Sequence, residues 1–326
     1  MLSDFLDLKD RKILNELDID CRQKNAQIGK KVGLSKQVVE YRIQRLIKEN
    51  IITRFSTVID IYKLGFSKYK IYISLQDANQ EKYKQIIDFL KNHSKTEWVA
   101  SCSGKYDIIA GFTVKDVYEF HQALKEFDEL FSSCISARET SISLGVHHWR
   151  KEYFIEKDYP RIYQGGNDIV KINKTDEEII KSIVNNARMP ITELAKQLSI
   201  TPRIAAYRLK KLRKENISLM HRIFFNFGKF NWIFCKAFIR FRNLSKLKYA
   251  NFIEECDKAR NITYAIDCIG PWDLELDFEI SDFNSFHKIM QDLRNRFSDI
   301  ISHYDFVIVI NEEKLDYYPG AYPKKR

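Results

Sequence analysis

The strongest constraint on the fold of this chain is an internal repeat that returns after 166 residues. Residues 35–51 read SKQVVEYRIQRLIKENI, and residues 201–217 read TPRIAAYRLKKLRKENI. The same spacing relates Asp107 to Asp273, well beyond the repeated stretch. A register kept over this distance predicts that one structural unit is built twice along the chain.

Each repeated stretch is typical of an amphipathic helix with a capped start. Ser35 and Thr201 open the two copies, and a hydroxyl group there can accept hydrogen bonds from the first-turn amides. Apolar residues then recur at helical spacing, which predicts one buried face. The opposite faces carry amide, basic and tyrosine side chains, which suit base edges and phosphates. An ordinary surface helix would share the amphipathic pattern, so the helix alone does not decide the function.

The residues around each repeated helix predict a winged helix-turn-helix domain. Leu8–Leu17 and Asn25–Val32 read as two short helices, and Gly33 suits the left-handed residue that ends the second. Ile51–Ile59 is β-branched and partly alternating, which predicts a wing hairpin. Such domains place their last helix in the major groove of DNA. The candidate DNA contacts are Ser35, Lys36, Gln37, Tyr41, Arg42, Gln44 and Arg45 in the first copy and Thr201, Arg203, Tyr207, Arg208, Lys210, Lys211 and Lys214 in the second.

The residues that follow predict a sheet domain of the order strand, helix, strand, strand, helix, strand, which is ferredoxin-like. In its first strand Tyr69, Ile71 and Ile73 fall on one side, and we expect this apolar face to pack against the sheet of the other copy. The predicted fold class is α+β, with two winged helix-turn-helix domains alternating with two ferredoxin-like βαββαβ domains. Thr175–Glu178 predicts a capping box at the start of the second copy.

These patterns divide the chain into six segments. We predict a winged helix-turn-helix domain at 1–62, a ferredoxin-like domain at 63–150, a linker at 151–174 that partly lies against a sheet, a second winged helix-turn-helix domain at 175–228, a second ferredoxin-like domain at 229–316 and a basic tail at 317–326.

Composition limits the partners and the compartment. A net charge of +10 favours an anionic partner, with nucleic acid before membrane. The N-terminal residues show no signal peptide, and no run approaches the ~18 uncharged apolar residues of a membrane span. The six cysteines form no Cys-x-x-Cys pair, which favours reduced thiols. We therefore predict a cytoplasmic protein with no membrane partner.

Several motifs resemble the leucine-responsive and asparagine-synthesis regulators, the Lrp/AsnC family of prokaryotic transcription factors. They are Asp10–Leu14 (DRKIL), Ile28–Ser35 (IGKKVGLS) and Arg42–Ile51. The turn Ser103–Asp107 (SGKYD) is similar to one in that family's effector domain, called RAM. Members usually carry one such unit and dimerise through their sheets. The resemblance therefore implies double-stranded DNA as partner and an intramolecular RAM pseudo-dimer, with a higher homo-oligomer left open.

The resemblance also implies an amino-acid or similar small effector at the interface between RAM domains. The residues at that place are Gly104, Asp107, Gly270 and Asp273. Glycine lets a carboxylate approach backbone amides, and aspartate can pair with an ammonium group. The alternative is a tight strand connection in which the aspartate bonds its own backbone.

No pattern in the sequence predicts a catalytic, metal or cofactor site, so we predict that the chain is not an enzyme. His147 and His148 are neighbours on a strand and point to opposite faces, so they do not suit one metal ion. Fused double units of this architecture also occur as sirohaem decarboxylases, but their tetrapyrrole-handling motif is missing from Glu97–Cys102 and Thr263–Cys268. A third reading is an effector-sensing co-regulator without DNA binding, against which the basic second helix argues.

Overall fold

The computed structural model describes residues 6–149, 151, 153–155 and 161–319. The elements of the first copy are α1 Leu8–Asp20, α2 Asn25–Val32, α3 Lys36–Lys48, β1 Ile52–Ile59, β2 Ser67–Leu75, α4 Gln80–Asn92, β3 Thr96–Gly104, β4 Ile108–Val114, α5 Val117–Phe131 and β5 Ile135–His148. The connection between the copies contributes β6 Ile162–Gly165. The elements of the second copy are α6 Lys174–Ile183, α7 Ile191–Gln197, α8 Pro202–Lys214, β7 Ser218–Phe225, β8 Ile233–Phe241, α9 Lys246–Lys258, β9 Ile262–Ile269, β10 Leu274–Ile280, α10 Phe283–Arg296 and β11 Ile301–Leu315. Among the described residues, none of these helices is long and apolar enough to cross a membrane.

The elements sort by type into two compact units, each of which draws on both copies. The head unit holds α1–α3, β1, α6–α8 and β7, and ends at Trp232. The sheet unit holds the remaining strands and helices, including β6. The predicted linker is divided between the two, because Tyr163–Ile169 belong to the sheet unit, whereas the described residues before Tyr163 and those from Val170 onward belong to the head unit.

The head unit is joined by a strand from each copy. β1 pairs antiparallel with β7, with Thr57 opposite His221 and Phe55 opposite Ile223. The prediction that Ile51–Ile59 folds as a wing hairpin is therefore wrong, since this segment is a single strand whose partner lies in the other copy. One apolar core beneath this pair includes residues of both copies, among them Phe225.

Local residues explain how the helix-turn-helix motifs form. Gly33 ends α2 with φ +68°, and a β-carbon at Gly29 would lie 2.5 Å from the carbonyl oxygen of Leu34, so the turn favours glycine at both positions. In the second copy the capping box is formed by Asn173 and Asp176 and not by Thr175 as predicted. The Asn173 side chain accepts from the Asp176 amide at 2.9 Å.

The sheet unit closes eight strands into a ring of hydrogen-bonded pairs. Within each copy the four strands pair as a ferredoxin-like sheet, β5–β2–β4–β3 and β11–β8–β10–β9. The edge strand β3 then pairs with β11, and β5 pairs with β9, so each copy supplies the missing neighbours of the other. β6 adds a ninth strand beside β5.

The prediction of which side of β2 packs against the other copy is wrong. Tyr69, Ile71 and Ile73 pack in a core with α4 and α5 of their own copy. The alternate residue Tyr72 instead belongs to a core that includes Phe238 and Trp272 of the second copy. The face expected to meet the other sheet is therefore covered by helices, because in this fold the helices take the more apolar face.

The connection and the tail both contact the sheet unit. The Tyr163 ring lies over Gly145, where no β-carbon could fit beside it, and His148 Nε2 lies 3.0 Å from Gln164 Oε1. Of the predicted tail 317–326, Tyr317 and Tyr318 are buried, so the tail does not begin as a free segment. Positions 320–326 lie outside the described residues.

Candidate DNA-binding interface

The recognition helices α3 and α8 begin at matched caps. Ser35 Oγ accepts from the Val38 amide at 3.2 Å, and Thr201 Oγ1 accepts from the Ile204 amide at 3.2 Å. Pro202 follows in the first turn of α8, where its missing N–H leaves no unmade helical bond. Matched positions 166 residues apart therefore occupy the same turn of their helices.

An aspartate in the first helix of each copy holds an arginine of the recognition helix. Arg42 Nη1 donates to Asp10 Oδ1 at 2.8 Å, and Arg45 Nη2 donates to Asp10 Oδ2 at 2.5 Å. In the second copy Arg208 Nη1 lies 3.2 Å from both carboxylate oxygens of Asp176. Both aspartates are buried. The structure thus gives three predicted DNA contacts, Arg42, Arg45 and Arg208, partners inside their own domain.

Most of the other predicted contacts face solvent. Tyr41 and Tyr207, at matched positions, have 68% and 65% of their surface exposed. Lys211 is half-buried, with its Nζ 3.8 Å from Glu215 Oε1. The solvent-facing predicted contacts are Ser35, Lys36, Gln37, Tyr41 and Gln44 on α3 and Thr201, Arg203, Tyr207, Lys210 and Lys214 on α8.

Two arginines, one from each copy, hydrogen-bond across the contact between the two helix-turn-helix domains, which we call the first and second heads. We call this pair of contacts the arginine clasp. Arg22 donates through Nη1 to the carbonyl of Ala187 and through Nη2 to that of Met189 at 3.2 Å. Arg188 Nη1 donates to the carbonyl of Cys21 at 2.8 Å. Positions 21 and 22 answer to 187 and 188, so this bond is the same in both directions. The second bond differs, because Arg188 Nη2 donates to Asn25 Oδ1 at 2.8 Å. Charged donors make the stronger class of hydrogen bond. The clasp joins the segment that follows α1 to the segment that follows α6, and both helix-turn-helix domains belong to one packed unit.

Two further contacts between the heads occur once, because the matched residues of the other copy have different side chains. Arg222 of β7 donates to the Asp18 carboxylate of α1, with Nη2 2.9 Å from Oδ1. His221 Nδ1 lies 2.9 Å from Thr57 Oγ1. Burial lowers the pKa of His221 to about 4, so the imidazole is neutral at physiological pH.

The predicted effector aspartates are engaged by their own sheets. Asp107 Oδ2 accepts from the Leu75 amide at 2.7 Å, and Asp273 Oδ2 accepts from the Phe241 amide at 2.7 Å. Arg240 Nη1 also lies 3.2 Å from Asp273 Oδ1. These bonds go to the backbone of another strand, 32 residues earlier in the chain, and not to the aspartate's own backbone as the alternative expected.

The predicted effector glycines lie where the two copies meet. A β-carbon on Gly104 would lie 3.2 Å from the carbonyl oxygen of Phe306 in β11. One on Gly270 would lie 2.8 Å from the carbonyl oxygen of Thr140 in β5. Each glycine has a positive φ and faces the last strand of the other copy, so the bare backbone permits the close approach of the strands.

The histidines and cysteines do not assemble a metal site in the described part of the chain, where no group of three His, Cys, Asp or Glu side chains could hold an ion. His147 Nε2 lies 3.6 Å from Asp267 Oδ2 in the sheet unit. All six cysteines are free thiols and buried.

A buried charge network between the two sheets was not predicted from the sequence. Glu275 of β10 is fully buried and accepts from Lys70 Nζ of the first copy at 2.7 Å and from Lys236 Nζ at 2.9 Å. Tyr72 of the first copy also donates to Glu275, and Lys236 donates to Asp277. Burial alone would raise the pKa of Glu275, but the ammonium groups of Lys236 and Lys70 hold it well below its usual range. The signal in the sequence was the alternation of acidic and apolar residues in β10 (LELDFEI), which puts acidic side chains on one face of a buried strand.

Comparisons with known proteins define the class. The profile of the AsnC-type helix-turn-helix domain matches residues 6–47, and that of winged helix-turn-helix DNA-binding domains matches residues 172–217. An uncharacterized HTH-type transcriptional regulator, PH0140 of Pyrococcus horikoshii, is 31% identical over 144 residues, which are 44% of this chain and 89% of that protein. The transcriptional regulator AzlB of Bacillus subtilis is 27% identical over 44% of this chain and 90% of its own length. The chain belongs to the Lrp/AsnC family of transcriptional regulators, of which it carries the unit twice.

One group of solved structures resembles the chain along nearly its whole length. The siroheme decarboxylase NirDL superposes with a TM-score of 0.64, at 11% identity, over 94% of this chain and 92% of its own. At this identity the likeness shows the fold alone. It nevertheless overturns the prediction that the chain is not an enzyme, because the fused double architecture is also that of an enzyme.

Proposed function

We propose that the chain is a transcriptional regulator that reads one DNA duplex with both recognition helices at once. The observation that carries this proposal is the arginine clasp, which joins the two helix-turn-helix domains within a single packed unit. Each helix presents five of the predicted contacts to solvent. Phosphate contacts would supply affinity, and amide and tyrosine groups would read base edges.

The experiment is capture of genomic DNA fragments by the purified full chain, followed by binding to the enriched duplexes at several salt concentrations. The test variant is Lys36→Glu with Lys214→Glu, which reverses one exposed charge on each recognition helix. Lys125→Glu on α5 of the sheet unit is the control, since it makes the same kind of change on an exposed helix elsewhere. We expect salt-sensitive binding that the double variant loses and the control keeps. Absence of salt-sensitive binding to any duplex would refute the proposal.

We further propose that a small effector, such as an amino acid, binds near Gly104 and Asp107. This turn and its match at Gly270–Asp273 both lie beside strands of the other copy, so a ligand there would bridge the copies. The Leu75 bond to Asp107 limits this proposal to a ligand that uses the remaining carboxylate oxygen or the turn amides. A thermal-shift screen of amino acids on the full chain tests it, and no shift with any of them would leave the turn a purely structural feature. Light scattering on the same samples would show whether several chains associate.

A second candidate function is suggested by the likeness to siroheme decarboxylase NirDL, which extends over both copies. In that case the sheet unit would bind a sirohaem-type tetrapyrrole. Titration of the full chain with sirohaem, followed by absorption spectroscopy, separates the two candidates. A shifted absorption band with loss of a carboxyl group would favour the enzyme, and an unchanged spectrum would exclude it.

A further inference from the structure

The solvent-facing surfaces of α3 and α8 differ at matched positions. Gln37 of the first head answers to Arg203 of the second, and Gln44 answers to Lys210. All four side chains are exposed, so the difference lies on the surface and not in the packing. Tyr41 and Tyr207 are the shared element.

The exposed charge of the two helices also differs. On α3 the lysines Lys36 and Lys48 share the exposed surface with Glu40. Arg42 and Arg45 are drawn to Asp10 and add little to that surface.

On α8 the exposed face carries Arg203, Lys210 and Lys214. The acidic residue that follows this helix, Glu215, lies 3.8 Å from Lys211. The second head is thus the more strongly basic of the two.

Glutamine can bind an adenine edge with two hydrogen bonds and so distinguishes bases. Lysine and arginine can bind guanine edges, but their charge also pairs with phosphates of any sequence, and α8 carries no amide side chain. The first head therefore has the chemistry of a base reader, and the second has the chemistry of a backbone anchor.

We infer that the DNA site of this chain is not a palindrome, but joins one half-site read at its base edges by α3 to another held mainly through its phosphates by α8. This inference rests on the proposed function. The arginine clasp is the reason why both half-sites are bound by one chain in a fixed order, so the chain lies on its site in one direction.

The test begins with selection of bound sequences from a random duplex pool by the full chain. We expect a consensus with one well-defined half and one weakly defined half. Gln37→Ala with Gln44→Ala should flatten the well-defined half while leaving the dependence of affinity on salt nearly unchanged.

Arg203→Ala with Lys210→Ala should weaken binding to all sequences and reduce the log–log salt slope by about two units, one for each phosphate that no longer pairs with a cation. The reverse exchange, Gln37→Arg with Gln44→Lys, should raise the slope and remove the sequence preference of the first half. All altered residues are exposed, and equal thermal midpoints would show that the variants remain folded.

A palindromic consensus, or equal effects of the two alanine pairs on both halves, would overturn the inference and leave the proposed function standing. Absence of binding to any duplex would overturn the proposed function itself. The two failures are therefore distinguishable in one set of measurements.

Discussion

The two units of this protein hold their copies together in different ways. In the head unit the arginine clasp is reciprocal, since Arg22 and Arg188 each donate to the matched backbone carbonyl of the other copy. In the sheet unit the central contact is one-sided, since Glu275 accepts from Lys70 but its matched position in the first copy is Ile109. The difference between these two contacts lies in the acceptor, which is a backbone carbonyl for the matched bonds of the clasp and a side chain for the charge network.

A backbone acceptor exists whatever the residue, so a hydrogen bond to it survives divergence of its neighbours. Cys21 and Ala187, the matched acceptors of the clasp, have different side chains and offer the same carbonyl. A side-chain acceptor is removed by one substitution. The Asp18–Arg222 pair of the head unit illustrates this point. Its matched residues are Val184 and Ser56, which cannot form an ion pair, so the contact is not repeated.

The largest effect is expected in the sheet unit, on replacement of Glu275 by isoleucine. The change would leave the buried Lys70 ammonium without its acceptor, and breaking a buried pair costs about 3–5 kcal/mol. Denaturant unfolding of the full chain, followed by tryptophan fluorescence, measures the loss of stability. Adding Ile109→Glu, which moves the carboxylate to the matched position of the first copy, should recover most of it. Failure of this rescue would show that the two sides of the sheet unit are not equivalent.

The next effect concerns His221, whose matched residue is Phe55, so that one copy alone carries the histidine. Burial lowers its pKa from 6.5 to about 4, so below pH 6.5 the unfolded chain binds a proton that the folded chain does not. Its contribution is complete above pH 6.5 and is lost as the pH falls toward 4, by about 3 kcal/mol. Unfolding curves at pH 7 and pH 4.5 should therefore differ less for His221→Phe than for the native chain. An equal pH dependence would contradict this assignment.

A smaller effect is expected from the clasp. Arg22→Ala and Arg188→Ala should each destabilise the head unit by about 2 kcal/mol, the scale of a hydrogen bond from a charged group. Because the clasp is reciprocal, the two losses of stability should agree to within about 1 kcal/mol. Denaturant unfolding of each variant measures them, with Lys125→Ala on an exposed helix as the control. Clearly unequal losses of stability would contradict this prediction and show that the two arginines contribute differently despite their matched hydrogen bonds.

The smallest effect tests a difference within the helix-turn-helix turns. Ser199 adopts φ +53° at the position that Gly33 occupies with φ +68° in the first head. Ser199→Gly should stabilise the second head by about 0.5 kcal/mol, since relief of the left-handed strain exceeds the entropy cost of glycine. Gly33→Ser should destabilise the first head by a similar amount. Thermal unfolding of both variants measures the shifts, and shifts of the same sign would disprove the explanation.

Local features of the fold were accessible from the sequence, and partners distant in the chain were not. The caps Ser35 and Thr201 and the left-handed Gly33 were predicted because their chemistry acts within a few residues. Ile51–Ile59 was recognised as β structure but predicted to be a hairpin, because a strand pattern does not name its partner. Pairing with β7 of the other copy therefore appears only in the structure.

The same limit applies to the candidate DNA interface. The amphipathic pattern gave the exposed face of each recognition helix, but Arg42 and Arg208 were also predicted to contact DNA. Each of these arginines follows a buried aspartate by 32 residues, Asp10 in one copy and Asp176 in the other. The same spacing between an aspartate and an arginine in both copies was thus a sign of an ion pair within each domain. Inspection of a single helix does not reveal it.

The exchange of strands between the copies has a consequence for the synthesis of the chain. β1, β3 and β5 all take a partner from the second copy, whose β7, β9 and β11 leave the ribosome later. At about 5–20 residues per second, the offset of 166 residues between β1 and β7 corresponds to roughly 10–30 s during which β1 has an open edge, and β3 and β5 wait for their partners in the same way. Open edges are templates for aggregation, so nascent chains on neighbouring ribosomes of one message would compete with the correct partner. Slower translation of the second half would therefore lower the yield of folded protein, even though the finished fold is the same.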